Sequence, residues 1–183
     1  MQLLLALLAI LLLWALIQYN RLIRRRNETD QSFSTIDVML KQRFDMIPNL
    51  LAVVKKYAAY ESATLEEITR LRSKQFGTLS NEEKENFDRQ FSGMTQKLQV
   101  VAEKYPDLKA SDQFLQLQRA ITEMEEQLSA ARRTYNASVT EYNHAVMMFP
   151  GSLIASLFGF KPRTWFRFVT PAPTSASASA SAS

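Results

Sequence analysis

Cysteine is absent from this chain of 183 residues, and histidine occurs once, at His144. The first absence excludes disulfides, thiolate metal sites, cysteine nucleophiles and a lipidated cysteine anchor. Glycine and proline are scarce as well: four Gly and six Pro leave no Gly-rich phosphate loop and argue against an all-β fold. No G-x-S-x-G, P-loop or H-E-x-x-H pattern occurs. Glu141-x-x-His144 has the i, i+3 spacing that di-iron bundles use, but those proteins need two such pairs. With one histidine, a metal-binding bundle enzyme ranks last among the readings, since only a second copy of the chain completes its site. The pair reads as ordinary helix neighbours. No enzyme activity, cofactor or metal is expected.

What the chain does have is apolar content, 46% of residues, enough to build a core. Its net charge of +4 hides a partition. Arg21, Arg24, Arg25 and Arg26 cluster near the N-terminus, Lys161, Arg163 and Arg167 follow Pro150, and all 18 acids lie between the two groups. Basic residues beside apolar segments suit anionic lipid headgroups better than nucleic acid, which is not expected as a partner.

Leu3 to Ile17 is an uninterrupted apolar run. As a helix from Met1 it spans about 25 Å, close to the hydrocarbon thickness of a bilayer once Tyr19 and the arginines reach outward. No basic segment precedes the run and no small-x-small cleavage site follows it, which favours a retained anchor over a cleaved signal peptide. With the arginines on its C-terminal side, the charge rule predicts a single-pass protein of a bacterial inner membrane, N-terminus outside and C-terminal domain cytoplasmic.

Phe33, Ile36, Leu40, Ile47, Leu51, Val54, Ala58, Leu65 and Ile68 recur at spacings of three and four or their sums, predicting one long helix. Pro48 removes a backbone hydrogen bond inside it. A kink is expected there, with a hairpin as the alternative. Asp45, Pro48 and Asn49 at that point form the one polar constellation that suits a structural or binding role. Ser80 and Glu83 form a capping box opening a second helix, with Phe87, Phe91, Met94, Leu98, Val101 and Tyr105 on its seam. A third helix starts after Ser111 and carries Phe114, Leu117, Ile121, Met124, Leu128, Ala131, Tyr135, Val139, Tyr142, Val146 and Phe149. Glu125 falls off that seam and reads as exposed. Tyr135-Asn136 and Tyr142-Asn143 repeat at seven residues and read as core packing.

The fold class is therefore all-α: an N-terminal transmembrane helix followed by a bundle of long antiparallel, coiled-coil-like helices. The anchor covers 1–19 and the bundle 20–150, with helices at about 27–75, 81–105 and 111–149. Residues 151–170 form an apolar, aromatic and basic segment, and the Ser/Ala repeat at 171–183 is expected to be disordered. Arg24, Arg25, Arg26, Trp165, Phe166 and Arg167 are the candidate membrane-interface residues. A kinked three-helix path puts Phe149 at the end away from the anchor, whereas a hairpin at Pro48 makes four helices and brings it back. The kinked path is the one expected, leaving Leu153 to Phe168 to meet protein or lipid at the distal end.

These segments resemble the LemA family of bacterial membrane proteins. The resemblance rests on Tyr19-Asn20, Phe33-Ser34-x-Ile36-Asp37-Val38, Arg43-x-Asp45-x-Ile47-Pro48-Asn49-Leu50 with Val54 and Tyr57, Phe114-x-x-Leu117-Gln118, Ala131-Arg132-Arg133-x-Tyr135-Asn136, Tyr142-Asn143, Phe149-Pro150 and Gly159-Phe160. It implies one N-terminal transmembrane helix, an all-α domain of long antiparallel helices and no established biochemical role. Tyr60 stands where the family often has histidine. The functional reading is a membrane-anchored scaffold or oligomerisation protein, whose partners are the lipid bilayer and a second copy or another membrane protein. The alternative is a membrane-remodelling or membrane-bridging factor that inserts residues 153–168.

Overall fold

The computed structural model describes residues 1–73 and 76–166, which contain six α-helices and no strand. Arg167 and the Ser/Ala repeat at 171–183 lie outside the described residues. Helix α1 runs from Gln2 to Tyr57 without interruption, about 84 Å. It passes through Pro48, which is exposed and removes a single backbone hydrogen bond from a helix of 56 residues.

The chain reverses instead at Ala58–Glu61, after which α2 (Ser62–Arg72) runs back along α1. The expected continuous helix over 27–75 is thus two helices. The turn carries none of the usual punctuation: it has no Gly or Pro, and Glu61 caps α2 without a side-chain hydrogen bond. What fixes it is burial of Ala58 and the Glu61 N–H donating to the Ala58 carbonyl at 3.1 Å. A 3-10 turn at Phe76–Thr78 sets Phe76 against Phe44 and Phe87. Helix α3 (Asn81–Lys104) then leads outward again, opened by the Ser80 and Glu83 capping box. After the short α4 (Pro106–Lys109), α5 (Asp112–Met147) returns for about 54 Å.

Helices α1 and α5 pair antiparallel along most of their length. Leu22 packs with Tyr142 and Val146, the Thr29 hydroxyl donates to the Ser138 carbonyl at 3.3 Å, and the Phe33 and Tyr135 rings lie 5.5 Å apart. Two outward and two returning helices bring the end of α5 back to the anchor. The three-helix path is thereby overturned: Phe149 lies at the anchor end, and at 79% exposure it is not part of the seam.

The core interior holds charge. Arg43 occupies the position between Leu40 and Ile47 where the stripe calls for an apolar residue, and it is fully buried. Its guanidinium donates to Asp88 at 2.5 Å and also pairs with Glu125, while Arg132 pairs with Asp88 from the other side. Glu125 is exposed, as its place off the seam implies, but its carboxylate is tied to the core through Arg43. Arg43 stacks over Phe91 and Arg132 over Phe166, each at 5.4 Å. Burial pushes the Asp88 carboxyl up and the Arg132 guanidinium down, with their mutual attraction opposing both.

Removing one member strands the others, so Asp88→Ala should cost roughly 3–5 kcal/mol in denaturant unfolding. Arg43→Met, Asp88→Leu and Arg132→Met together should recover most of that. Leu128→Asp, which adds a lone carboxylate at a fully buried seam position, should abolish the cooperative transition. A triple variant no more stable than Asp88→Ala would show that the charges are not what the single substitution strands.

Candidate membrane-proximal site

Every apolar side chain from Leu3 to Leu13 is exposed, as are Leu16 and Ile17, and this part of α1 is long and apolar enough to cross a membrane. Partial burial begins at Ala15, continues at Gln18 and Tyr19, and is complete at Leu22. There the chain after α5 turns through Phe149 and Pro150 into α6 (Gly151–Phe158), which packs on α1 and α5. Gly151 makes that approach possible, because a Cβ there would sit 2.2 Å from the Ala145 carbonyl oxygen. Ile154 and Ala155 face inward with Leu22, Tyr142 and Val146, and Tyr19 meets Phe158 at 4.8 Å. The other face of α6 presents Leu153, Leu157 and Phe158 beside the exposed Phe149. An apolar ledge thus adjoins the base of the anchor.

From Gly159, which takes a left-handed φ of 72°, the chain runs extended down α5. Two asparagines hold it. Asn143 donates from Nδ2 to the Arg163 carbonyl at 2.9 Å and accepts from the Arg163 N–H at 2.8 Å. Asn136 does the same for Phe166, at 3.0 and 2.8 Å. Arg163 also donates to Asp30 at 2.5 Å, a bond that raises its pKa further above the ordinary guanidinium value. Burial raises the Tyr142 and Tyr135 hydroxyls, with Arg163 opposing in both cases.

The candidate interface residues are therefore split. Arg24 and Arg26 are exposed beside the anchor, and Arg25 pairs with Glu28 at 3.1 Å and Glu141 at 3.4 Å. Trp165 is half exposed but donates to Thr140. Near the Thr29–Ser138 contact, it lies about 15 Å further along α1 than Tyr19. Phe166, expected at the interface, is buried in the core under Arg132. Asp45, Pro48 and Asn49 lie far from this end, all exposed. Asp45 is held by Lys41 at 2.6 Å, and Asp45 and Asn49 line a groove of about 710 Å³ between α1 and α5, with Met46, Leu117, Ala120 and Met124. Glu141 and His144 gather no further ligand: no cluster of three metal-ligating side chains occurs among the described residues.

The profile of the LemA family matches residues 32–178. The chain belongs to the LemA family. Its match begins beyond the apolar anchor and takes in the bundle, α6 and the extended segment. The chain is 30% identical to the protein LemA of Metamycoplasma hominis over 141 residues, covering 74% of this chain and 63% of that protein. It is 21% identical to the magnetosome proteins MamQ 2 of Paramagnetospirillum magneticum and MamQ of Magnetospirillum gryphiswaldense, covering 83% and 82% of this chain and 65% of each of those proteins. It thus spans a little under two thirds of the length of these curated relatives.

Two structural features of this LemA chain escape the sequence reading. Asn136 and Asn143 clamp the extended segment, and the signal was their repeat at seven residues, read as packing because the neighbouring tyrosines do pack. Arg43 had its signal in the gap it leaves between Leu40 and Ile47.

With no native cysteine, an Asp30→Cys, Arg163→Cys variant should be bridged by a short bifunctional thiol reagent, which replaces the reach of the lost arginine side chain, whereas Asp30→Cys with Leu115→Cys should not. Asn136→Leu with Asn143→Leu should speed tryptic cleavage after Arg163 while the α5 core stays protected. An unchanged cleavage rate would mean that the segment is held by other contacts.

Proposed function

We propose that this chain is a non-catalytic, membrane-anchored scaffold that holds a second copy of itself at fixed height above the bilayer. The observation that carries this reading is the continuity of α1: one helix supplies both the apolar span and the bundle's longest wall, with no hinge between them. A rigid mount suits a protein that works by position. The apolar groove between α1 and α5, near the outer end of the bundle, is the surface we assign to the second copy. The membrane we assign is the bacterial inner membrane, with the bundle on the cytoplasmic side, because Arg21, Arg24, Arg25 and Arg26 follow the span.

Remodelling of the bilayer is a second reading, favoured by the ledge of Phe149, Leu153, Leu157 and Phe158. That ledge lies beside the anchor, so it would act on the same bilayer and not bridge to another.

A photoreactive residue at Ala120 should yield a discrete dimer adduct between differently tagged copies in native membranes, and one at Arg133 on the exposed side of α5 should not. A monomer at every groove position would overturn the scaffold reading. A reporter fused after Pro173 should be active in the cytoplasm, and periplasmic activity would refute the orientation.

A further inference from the structure

We propose that a cavity at the junction of α1, α5 and α6 binds the phosphate headgroup of an anionic phospholipid. This rests on the membrane reading above. The cavity measures about 310 Å³, the small end of the range for ligand pockets and suited to a phosphoglycerol head. Gln18, Arg21 and Arg25 wall it from α1, Glu141 and His144 from α5, and Met148 and Phe149 form its rim.

Depth is the first argument. The exposed apolar run ends at Ile17 and the cavity opens at Gln18, so with that run in hydrocarbon the cavity lies at the level of the lipid phosphates. Charge is the second. Arg25 is offset by Glu28 and Glu141, but Arg21 has no ion pair among the described residues. The His144 ring likewise has no hydrogen-bond partner among them and can donate to a phosphate oxygen. Glu141 shares the cavity, yet its carboxylate is turned to Arg25, leaving Arg21 as the cation that an incoming phosphate meets. The rim is the third. Met148 and Phe149 are 62% and 79% exposed, and an apolar rim beside a basic wall suits a ligand with an anionic head and an apolar body. Free phosphate satisfies only the wall.

The test uses the full chain in mild detergent, with native mass spectrometry after adding phosphatidylglycerol or phosphatidylcholine of matched acyl chains. Phosphatidylglycerol adducts should predominate. Arg21→Gln should reduce them roughly fivefold, and Arg24→Gln, outside the cavity, should change them little. Equal loss in both variants would show diffuse surface charge and overturn the site, as would equal binding of the two lipids. Displacement by millimolar inorganic phosphate would overturn the lipid assignment in favour of the free ion. Both variants should keep the wild-type circular dichroism and pellet with membranes. If the wild-type chain did not pellet, the membrane reading itself would fail, independently of the cavity.

Discussion

The antiparallel pairing of α1 with α5 sets the depth of every other feature, because α1 alone joins the apolar span to the bundle. Each residue of α5 is placed against a residue of α1 whose distance from the span is fixed by helical rise. The arginine collar, the cavity at Gln18 and Arg21, the α6 ledge and the outer groove are therefore ordered along one axis. The pairing also depends on parity. Had the chain not reversed at Ala58–Glu61, α5 would point the other way and nothing would cover the base of the anchor.

The buried ions work on that same pairing. Arg43 from α1, Asp88 from α3 and Arg132 and Glu125 from α5 meet where three helices converge, and their Nε atoms at Arg43 and Arg132 find no partner in the core. Such a group contributes little net stability, since desolvation offsets most of the attraction. Its effect is on register. A shift of α5 by one turn would part Arg132 from Asp88 and Arg43 from Glu125, leaving the buried Arg132 guanidinium without its carboxylate, whereas leucines on the seam could re-pack.

The helical class, the long apolar helix at the N-terminus, the capping box at Ser80 and most of the α3 and α5 seams were legible, because periodicity and caps are local. The family was legible through motifs spread along the chain. The path was not. Pro48 is the loudest breaker in its region, yet an exposed proline that frees only one carbonyl leaves a long helix intact, and the true turn is made of alanine, tyrosine and glutamate. Phe166 misled for a related reason: beside Trp165 and Arg167 it has interfacial composition, but its burial is decided by Asn136 and Arg132, thirty or more residues earlier.

The asparagine clamps carry one more consequence. Seven residues of helix advance about 10.5 Å, and three residues of extended chain about 10 Å. Asn136 and Asn143 on one side, and Phe166 and Arg163 on the other, are therefore two scales of different pitch that coincide at both marks. Like a vernier, they agree in a single setting: sliding the extended segment by one residue moves it about 3.3 Å, where neither amide finds its N–H and carbonyl. The alignment of this segment is thus specified by two side chains, without the continuous ladder that a neighbouring strand would need.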